Sequence, residues 1–497
     1  MHRLNRYRNL LVITIMIFYV FPLHSQNKVR RLTLEDAIAI AKDQSPDVMN
    51  AKQEFRASYW DYRKFRGAYL PQVNLDATLP SLNRSIIKNP YSTTDPYYLS
   101  YYTDYMANLR VQQRVSLTGG SFMINTGLQR SDLYKPYDTT SYAARPMISI
   151  GYDQPLFKFN AYRWDRKISP MKYEEAKKKL LENIEMVNIA ATNFFFDLLE
   201  AQVEMKIART NLSNYDTLYR IAKGRFELGK IAENDKLKLE LNLLKAEAAV
   251  ENASLGLDNA IFRFKSFLRI KDTVSIVLSP PDYINFNKVD PNLALDKAVT
   301  NSSSTVLFQR RLIEAQRDIR QAKMNNRFDA DLSASLGYTQ TSHDIRDVYK
   351  NPLDEQTVML SLSIPILDWG VARGSIKIAE AQAEIIRNSV EQERIDFQRS
   401  IYLKVMQFNM QKNQLKIAAK SDTVAKKTYE VVKGRYLIGK ANDVTDLNNA
   451  QIDMDSSEKS YYSTLQTYWI SYFELRKLTL FDFEHNQELQ FDFKTLH

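Results

Sequence analysis

One segment of this chain occurs twice, and both copies have the same length. The first copy spans residues 155–230 and begins Pro-Leu-Phe, the second spans residues 365–440 and begins Pro-Ile-Leu, and both end in Gly-Lys. A single offset of 210 residues relates the two copies, so neither has gained or lost a residue. Loops tolerate changes in length, whereas helices that must match a partner do not. The duplication therefore predicts two long helices of equal length in one quasi-symmetric molecule.

The residues inside each copy have helical spacing. Apolar residues such as Val187, Ala191, Phe194 and Leu198 recur three and four positions apart, which is typical of an amphipathic helix. Each helix is expected to run for about 60 residues, or about 90 Å at 1.5 Å per residue. Only 13 glycines and 15 prolines occur, which favours long uninterrupted helices. After each Gly-Lys the helical spacing resumes, so a shorter returning helix is predicted in both halves.

Before each copy the hydrophobic period changes to two. Val73, Leu75 and Leu79 alternate with polar residues, and the same alternation recurs in residues 148–153, 332–339 and 358–364. This pattern predicts strands with one apolar and one polar face, in an outer-membrane barrel or in a soluble antiparallel sheet. The strand region of the first half is the longer one, with room for an additional hairpin around residues 119–120 or for a large external loop.

The N-terminal segment has the pattern of a signal peptide. Arg3, Arg6 and Arg8 precede an apolar run over residues 10–20, which is too short for a comfortable transmembrane helix. We expect removal of residues 1–25, with an uncleaved anchor as the alternative. The predicted organisation is a signal peptide (1–25), a first repeat (26–280), a second repeat (281–480) and a C-terminal tail (481–497) without a clear period.

Composition excludes several functions. The chain has no cysteine, so thiol catalysis, disulfides and thiolate metal sites are ruled out. The net charge of +10 is spread along the chain without a basic block, which argues against nucleic-acid binding. Five histidines, none in a helical pair, give no basis for a metal site, a cofactor or an enzyme, although paired carboxylates of the glycosidase type stay open.

Physical constraints link the strands to the helices. Open sheet edges are not tolerated in lipid, so membrane strands in such small number require oligomerisation to close a barrel. Helices of about 90 Å do not fit within a bilayer of about 30 Å and must project from it.

The whole mature chain resembles the TolC family of outer membrane efflux proteins. The resemblance rests on the duplication, on the junctions Pro-Leu-Phe (155–157) and Pro-Ile-Leu-Asp-Trp-Gly (365–370), and on the Arg-Phe/Tyr-x-x-Gly-Lys turns (225–230 and 435–440). It implies a mainly α fold with β strands: an internally duplicated chain whose homotrimer forms a 12-stranded outer-membrane β-barrel, continued by a long periplasmic α-helical barrel. It also implies a passive, gated duct that docks on a periplasmic adaptor protein and an inner-membrane transporter. An exit duct for type I protein secretion and a periplasmic coiled-coil scaffold are the alternatives.

In the family, the two helix-turn-helix tips close the periplasmic end of the tunnel. The resemblance places the gate tyrosine at Tyr436 and a constriction aspartate at Asp235, whereas the position of the partner arginine holds Ala441. The candidate gate residues are Tyr436, Asp235, Arg225, Arg435, Lys230, Lys440, Asp443 and Asp446. The tip turns are assigned to Gly229 and Gly439, and the strand-to-helix junctions to Pro155 and Pro365.

Simpler interpretations of these residues exist. A role as helix C-caps is enough to explain the two tip glycines, and a role as N-caps of the following helices is enough to explain Asp235 and Asp443. Lys230 and Lys440 are sufficient as solvated side chains. The tyrosines of residues 91–105 fit an aromatic girdle or an extracellular loop, and we favour the loop.

Overall fold

The structure is a computed structural model that describes residues 29–88, 97–135, 138–271, 275–281, 288–439 and 444–496. The predicted signal peptide, Lys440, Ala441 and Asp443 lie outside these residues. Eight helices occur in the described part of the chain: α1 (Leu34–Gln44), α2 (Pro46–Gly67), α3 (Ala161–Glu227), α4 (Glu233–Leu268), α5 (Pro291–Asn301), α6 (Ser303–Asn325), α7 (Val371–Leu437) and α8 (Val444–Thr479).

In the part of the chain that the structure describes, the strands form three sheets. Their bounds within the described ranges are β1 (Val29–Leu32), β2 (Gln72–Lys88), β3 (Tyr97–Arg114), β4 (Ser121–Lys135), β5 (Thr139–Pro155), β6 (Ser275–Leu278), β7 (Asp329–Ser342), β8 (Leu353–Ser363), β9 (Phe481–Asp482) and β10 (Gln487–Glu488). The large sheet has the order β2-β3-β4-β5-β7-β8, and each neighbouring pair is antiparallel. Strands β1 and β6 form a parallel pair, and β9 and β10 form an antiparallel pair.

The predicted equality of the long helices is confirmed. Helices α3 and α7 have 67 residues each, and the returning helices α4 and α8 have 36 residues each. Each half also starts with a helix of the same length, because α1 and α5 both have 11 residues. A capping box in which Thr33 Oγ1 accepts from Asp36 N at 3.2 Å begins α1.

The chain divides into two compact units. The first contains the described residues of Met1–Met49, Ile184–Asn287 and Gln407–Glu474, which include both helical tips. Its core near the tips is an apolar cluster, to which α3, α4, α7 and α8 all contribute. No helix in the described residues carries an apolar stretch that is long enough to cross a membrane.

The second unit contains Asn50–Asn183, Lys288–Met406 and Leu475–His497, and with them the whole large sheet. In this unit the tail folds back, because the Phe493 ring lies 5.3 Å from the Phe55 ring of α2. The predicted tail without periodicity is therefore a short hairpin and a 3-10 turn at Phe493–Leu496.

The large sheet corrects the strand number that the resemblance implies. Four strands per chain would give a 12-stranded trimer, but the described residues contribute six strands to this sheet. The additional hairpin is β3–β4, whose turn contains Gly119 with a φ of +84°, so the hairpin alternative and not the external loop is realised. Glycine adopts this left-handed conformation without steric cost.

Candidate functional site

One face of the large sheet is aliphatic and exposed. Residues that pair directly across neighbouring strands lie on the same face of the sheet. Leu75, Leu109 and Thr126 form one such cross-strand row. The next row on this face consists of Val111, Ile124, Ile150 and Leu336. Their aliphatic side chains do not contact a core: Leu75 is 68% exposed, Ile150 is 59% exposed and Val358 is 76% exposed. A soluble protein would cover such a large apolar surface.

The opposite face of the same sheet is polar. A single cross-strand row on this face consists of Asn74, Arg110, Asn125, Ser149, Gly337 and Glu355, one residue from each of the six strands. Together with neighbouring residues, five of these six line a concave cavity of about 530 Å³. Apolar residues on one face and polar residues on the other, in strands long enough to span a bilayer, are the pattern of a membrane β-barrel wall.

A glycine in the polar row allows two strands to pack closely. A Cβ atom added at Gly337 would lie 2.5 Å from the carbonyl oxygen of Ile148 and 2.7 Å from the Cβ of Ser149. Both distances are far below ordinary contact, so only glycine fits at this point of β7.

The tyrosines of the first half lie in strands as far as they are described. Residues 97–105 belong to β3, so the interpretation of this stretch as a loop is wrong for these residues. Tyr105, Arg130 and Tyr142 are direct cross-strand neighbours, with the guanidinium 5.7 Å and 5.9 Å from the two ring centroids. Because they share the face of Leu109 and Ile124, they form an aromatic row beside the aliphatic band, as at a membrane interface.

The helical tips end in the predicted glycine turns. At the end of α3, Lys230 N donates to Arg225 O at 2.8 Å and Gly229 N donates to Phe226 O at 2.8 Å. This pair of bonds is a Schellman motif, which requires a left-handed residue at Gly229, where φ is +68°. Gly439 has a φ of +73° and donates to Tyr436 O at 3.1 Å, so α7 ends in a similar way.

One arginine joins the two tips within the chain. The Arg225 guanidinium donates to Tyr436 O at 3.2 Å and to Leu437 O at 2.9 Å, and it lies 5.3 Å from the centroid of the Tyr436 ring. The last carbonyl groups of a helix lack intrahelical donors and carry partial negative charge. Arg225 at the end of α3 therefore caps the end of α7 and contacts its tyrosine ring.

Tyr436 is a core residue of the tip. Its side chain is 2% exposed and packs in a cluster with residues of all four helices. Burial raises the pKa of its hydroxyl, and Asp235 raises the pKa further, whereas Arg225 lowers it. Tyr436, Arg225 and the charge of Asp235 are therefore brought together, as candidate gate residues would have to be.

The other predicted tip residues take different positions. Lys230, Arg435 and Asp446 are exposed and do not take part in the Arg225–Tyr436 contact. Asp235 lies in the first turn of α4, but the N-cap of that helix is Ala232, which has no side-chain cap. The interpretation of Asp235 as an N-cap is therefore wrong.

A polar layer near the tips was not predicted from the sequence. Asn211 of α3 donates to Asp455 of α8 at 2.6 Å, and Gln451 donates to the other oxygen of the same carboxylate at 3.0 Å. Next to them, Tyr215 donates to Asn448 at 2.9 Å. Burial raises the pKa of Asp455 and raises the pKa of Tyr215 to about 12. These polar residues occupy helix positions where apolar residues would be expected, which is a signal in the sequence. The partners of Asn211 and Tyr215 lie more than 200 residues away, so the sequence alone does not show which residues pair.

The strand-to-helix junctions contain the predicted prolines. Pro155 is the last residue of β5 and pairs with Asp331, and Asn160 Oδ1 then accepts from Arg163 N at 3.2 Å at the start of α3. Pro365 follows β8 and is exposed. Asp368 accepts from Gly370 N at 3.0 Å and from Ala372 N at 2.8 Å, so it caps α7.

The fold matches solved outer membrane channels over nine-tenths of the chain. The Campylobacter jejuni CmeC outer membrane channel matches with a TM-score of 0.66 and 16% identity, covering 93% of this chain and 88% of that chain. VceC of Vibrio cholerae, an outer membrane protein, gives 0.62 and 12% over 92% and 97%. The open state of the Neisseria gonorrhoeae MtrE outer membrane channel gives 0.61 and 14% over 92% and 91%.

The sequence comparisons point to the same class. Residues 305–479 match the family described as outer membrane efflux protein. A Haemophilus influenzae protein described as uncharacterized is 22% identical over 254 residues, so the chain spans about half the length, 52%, of this curated relative. The chain therefore has the fold of solved outer membrane channels, and part of its second half matches the outer membrane efflux protein family. The predicted resemblance to the TolC family of outer membrane efflux proteins is confirmed.

Proposed function

We propose that this chain is the outer membrane duct of a tripartite efflux system, a passive channel without a catalytic step. The observation that carries the proposal is the large sheet, whose exposed aliphatic face suits lipid and whose opposite face suits an aqueous lumen. The periplasmic coiled-coil scaffold, which would have no use for that aliphatic face, is correspondingly disfavoured.

Fractionation and deletion test this function. We expect the protein in the outer membrane fraction with heat-modifiable migration, and we expect its deletion to lower the tolerated concentration of at least one toxic compound. Recovery in the soluble periplasmic fraction would contradict the proposal. Affinity capture of the tagged protein after cross-linking identifies the periplasmic adaptor and the inner-membrane transporter that the proposal requires as partners.

The proposed functional form is a homotrimer, and exposed heptad stripes on two helices support self-association. From position 410 of α7 to the turn that follows it, every seventh residue is apolar and at least half exposed: Met410, Ile417, Val424, Val431 and, in the turn, Ile438. On α4 a second stripe contains Leu241, Ala248, Leu255 and Phe262 at the same interval. Apolar residues repeated every seven positions are buried when helices of neighbouring copies pack as coiled coils.

Charge placed in the α7 stripe tests the trimer. We expect the double change Ile417→Glu and Val424→Glu to lower the trimer fraction at least tenfold in detergent, because it would place carboxylates in the interface. The matched control is Thr423→Glu, an exposed position about 100° away around the same helix. Unchanged trimer in the double variant would show that the stripe is not an interface between copies.

The proposed gate is the contact between Arg225 and Tyr436, with Asp235 as the nearby charge. Since Arg225 holds the ends of α3 and α7 together, its loss frees the two tips to move apart. In planar bilayers we expect Arg225→Ala, and replacement of Tyr436 or Asp235 by alanine, to raise the open probability. Arg220→Ala is the control, because Arg220 is 77% exposed and pairs with Asp216 on its own helix. Equal open probability of the Arg225 and Arg220 variants would contradict the gate.

A further inference from the structure

The hairpin β3–β4 lies within the large sheet, between β2 and β5, and not at its edge. Strand β3 pairs with β2 from Gln72 to Lys88, and β4 pairs with β5. Removing this hairpin from the sheet would leave β2 without its described neighbour. The sheet is thus one continuous six-stranded surface with β2 and β8 at its ends.

The turn between β3 and β4 is fixed to the strand-to-helix junction. Asn160, directly before α3, donates to Ser116 O at 3.1 Å and to Leu117 O at 3.3 Å. Gln154 at the end of β5 donates to Thr118 O at 3.0 Å. The hairpin therefore extends down to the level where β5 ends and α3 begins, which an external loop would not do.

Both strands of the hairpin carry the same division of faces as the other strands. Leu109 and Ile124 are 40% and 44% exposed on the aliphatic face, and Arg110 and Asn125 lie opposite each other in the polar row. An accessory hairpin packed inside or outside a barrel would need two similar faces. Apolar-out and polar-in alternation is what a barrel wall requires.

The two free edges of the sheet fit each other. All eleven residues of β8 are exposed, as are all but one of the residues of β2. Six strands in antiparallel order leave β2 and β8 running in opposite directions, so β8 of one copy can continue the order with β2 of the next. Two different edges joined by rotation give a closed ring. Pro80 lies in the irregularity of β2 between Thr78 and Ser81, and proline is tolerated at such a bulge within a sheet.

We infer that β3–β4 belongs to the barrel wall and that three copies, joined β8 to β2, close a cylinder of eighteen strands. This inference rests on the proposed trimeric outer membrane duct and departs from the twelve strands that the resemblance implies. Barrel diameter grows roughly linearly with strand number, so the membrane section is about one and a half times as wide as a 12-stranded one. The polar row with Arg110 and Glu355 then lines a wide aqueous lumen.

Cysteine labelling tests the wall, because the chain has no cysteine of its own. Single cysteines replace one aliphatic-face and one polar-face residue in each strand of the hairpin, Leu109 and Asn108 in β3, and Ile124 and Asn125 in β4. Reference pairs are Ile148 and Ser149 in β5, and Leu336 and Ser335 in β7. The trimer in proteoliposomes is treated with a charged maleimide, before and after detergent.

We expect labelling of the polar-face cysteines in all four strands, with at least tenfold slower labelling of the aliphatic-face cysteines until detergent is added. If the cysteines in β3 and β4 showed any other labelling pattern while β5 and β7 kept the alternation, the inference would be overturned and the proposed membrane duct would stand. Loss of alternation in β5 and β7 as well would instead overturn the proposed membrane duct.

Disulfide trapping tests the joined edges. Leu75→Cys in β2 is combined in turn with Val358→Cys, Leu360→Cys and Leu362→Cys in β8, all on the aliphatic face. Covalent dimers and trimers on a non-reducing gel are expected for at least one combination, and none for Asp76→Cys, which faces the other side. Absence of covalent oligomers in all three combinations would show that these edges do not pair between copies.

Discussion

At the residue scale, the position of Arg225 explains how one side chain links the ends of α3 and α7. Its guanidinium satisfies two carbonyl oxygens at the end of α7, and a hydrogen bond to a charged group contributes about 1.5–3 kcal/mol when it is not fully solvated. Because Arg225 is only half-buried, solvent reduces this contribution. This intermediate strength suits the proposed gate, in which the contact holds a closed state and a binding partner opens it.

The ring of Tyr436, more than its hydroxyl, is expected to hold the tip. The hydroxyl is buried and makes no well-formed hydrogen bond within the described residues, whereas the ring contacts Arg225 and the apolar cluster. We predict that Tyr436→Phe changes the stability of the tip by less than about 1 kcal/mol and keeps the channel closed. Tyr436→Ala should cost about 3–5 kcal/mol and open it. Hydrogen exchange of the tip amides and bilayer conductance measure both, and an open Tyr436→Phe channel would contradict this prediction.

The half-buried Asp455 is expected to make the helical unit less stable as the pH rises. Burial raises its pKa in the folded state, so the folded chain binds this proton more tightly than the unfolded chain. Stability is then highest below the ordinary aspartate pKa and falls as the pH rises through the raised pKa. Asp455→Asn removes this titration and should flatten the pH dependence of the melting temperature over that interval. An unchanged pH profile in Asp455→Asn would assign the dependence to other groups.

At the scale of the element, replacing two glycines near the end of α3 by alanine is expected to have opposite effects on the stability of the tip. Gly229 has a positive φ, so Gly229→Ala should destabilise the tip of α3 by about 1–2 kcal/mol. Gly224 lies within the helix with open space around its missing Cβ, so Gly224→Ala should stabilise the same tip by about 0.5–1 kcal/mol. The same contrast is expected for Gly439 and Gly434. Protease cleavage rates at the tips measure the sign, and a stabilising Gly229→Ala would contradict the Schellman turn.

The elements differ in how far they could be predicted. The lengths of α3 and α7 follow from the constant offset, since hydrophobic period and glycine position are local signals. The strands follow from the period of two, but their order does not, because pairing joins segments such as β5 and β7 that are far apart in sequence. For the same reason the contact between Tyr436 and Arg225 did not follow from the sequence, which named both only as candidate gate residues. The polar layer around Asp455 was missed.

At the scale of the whole molecule, the helical and strand parts have changed independently between the two halves. The long helices keep identical lengths, whereas in the described residues the first half has four strands of the large sheet and the second half has two. A hairpin adds two strands at once and preserves antiparallel order on both sides. A sheet can therefore widen in steps of two strands per chain without a change in the direction of any other strand.

Removal of the additional hairpin is expected to narrow the barrel and preserve the fold. A variant that lacks residues 89–138 and joins β2 to β5 by a two-residue Asn-Gly turn keeps both strands antiparallel. Four strands per chain would close a 12-stranded trimer, with a diameter reduced by about one third. The largest polyethylene glycol that enters from the outer side should therefore be smaller for this variant than for the full chain, at equal trimer content. The matched control replaces only residues 89–96 by the same turn and should admit the polymers that the full chain admits. Equal size limits in the deletion and the control would mean that the hairpin does not set the width of the lumen.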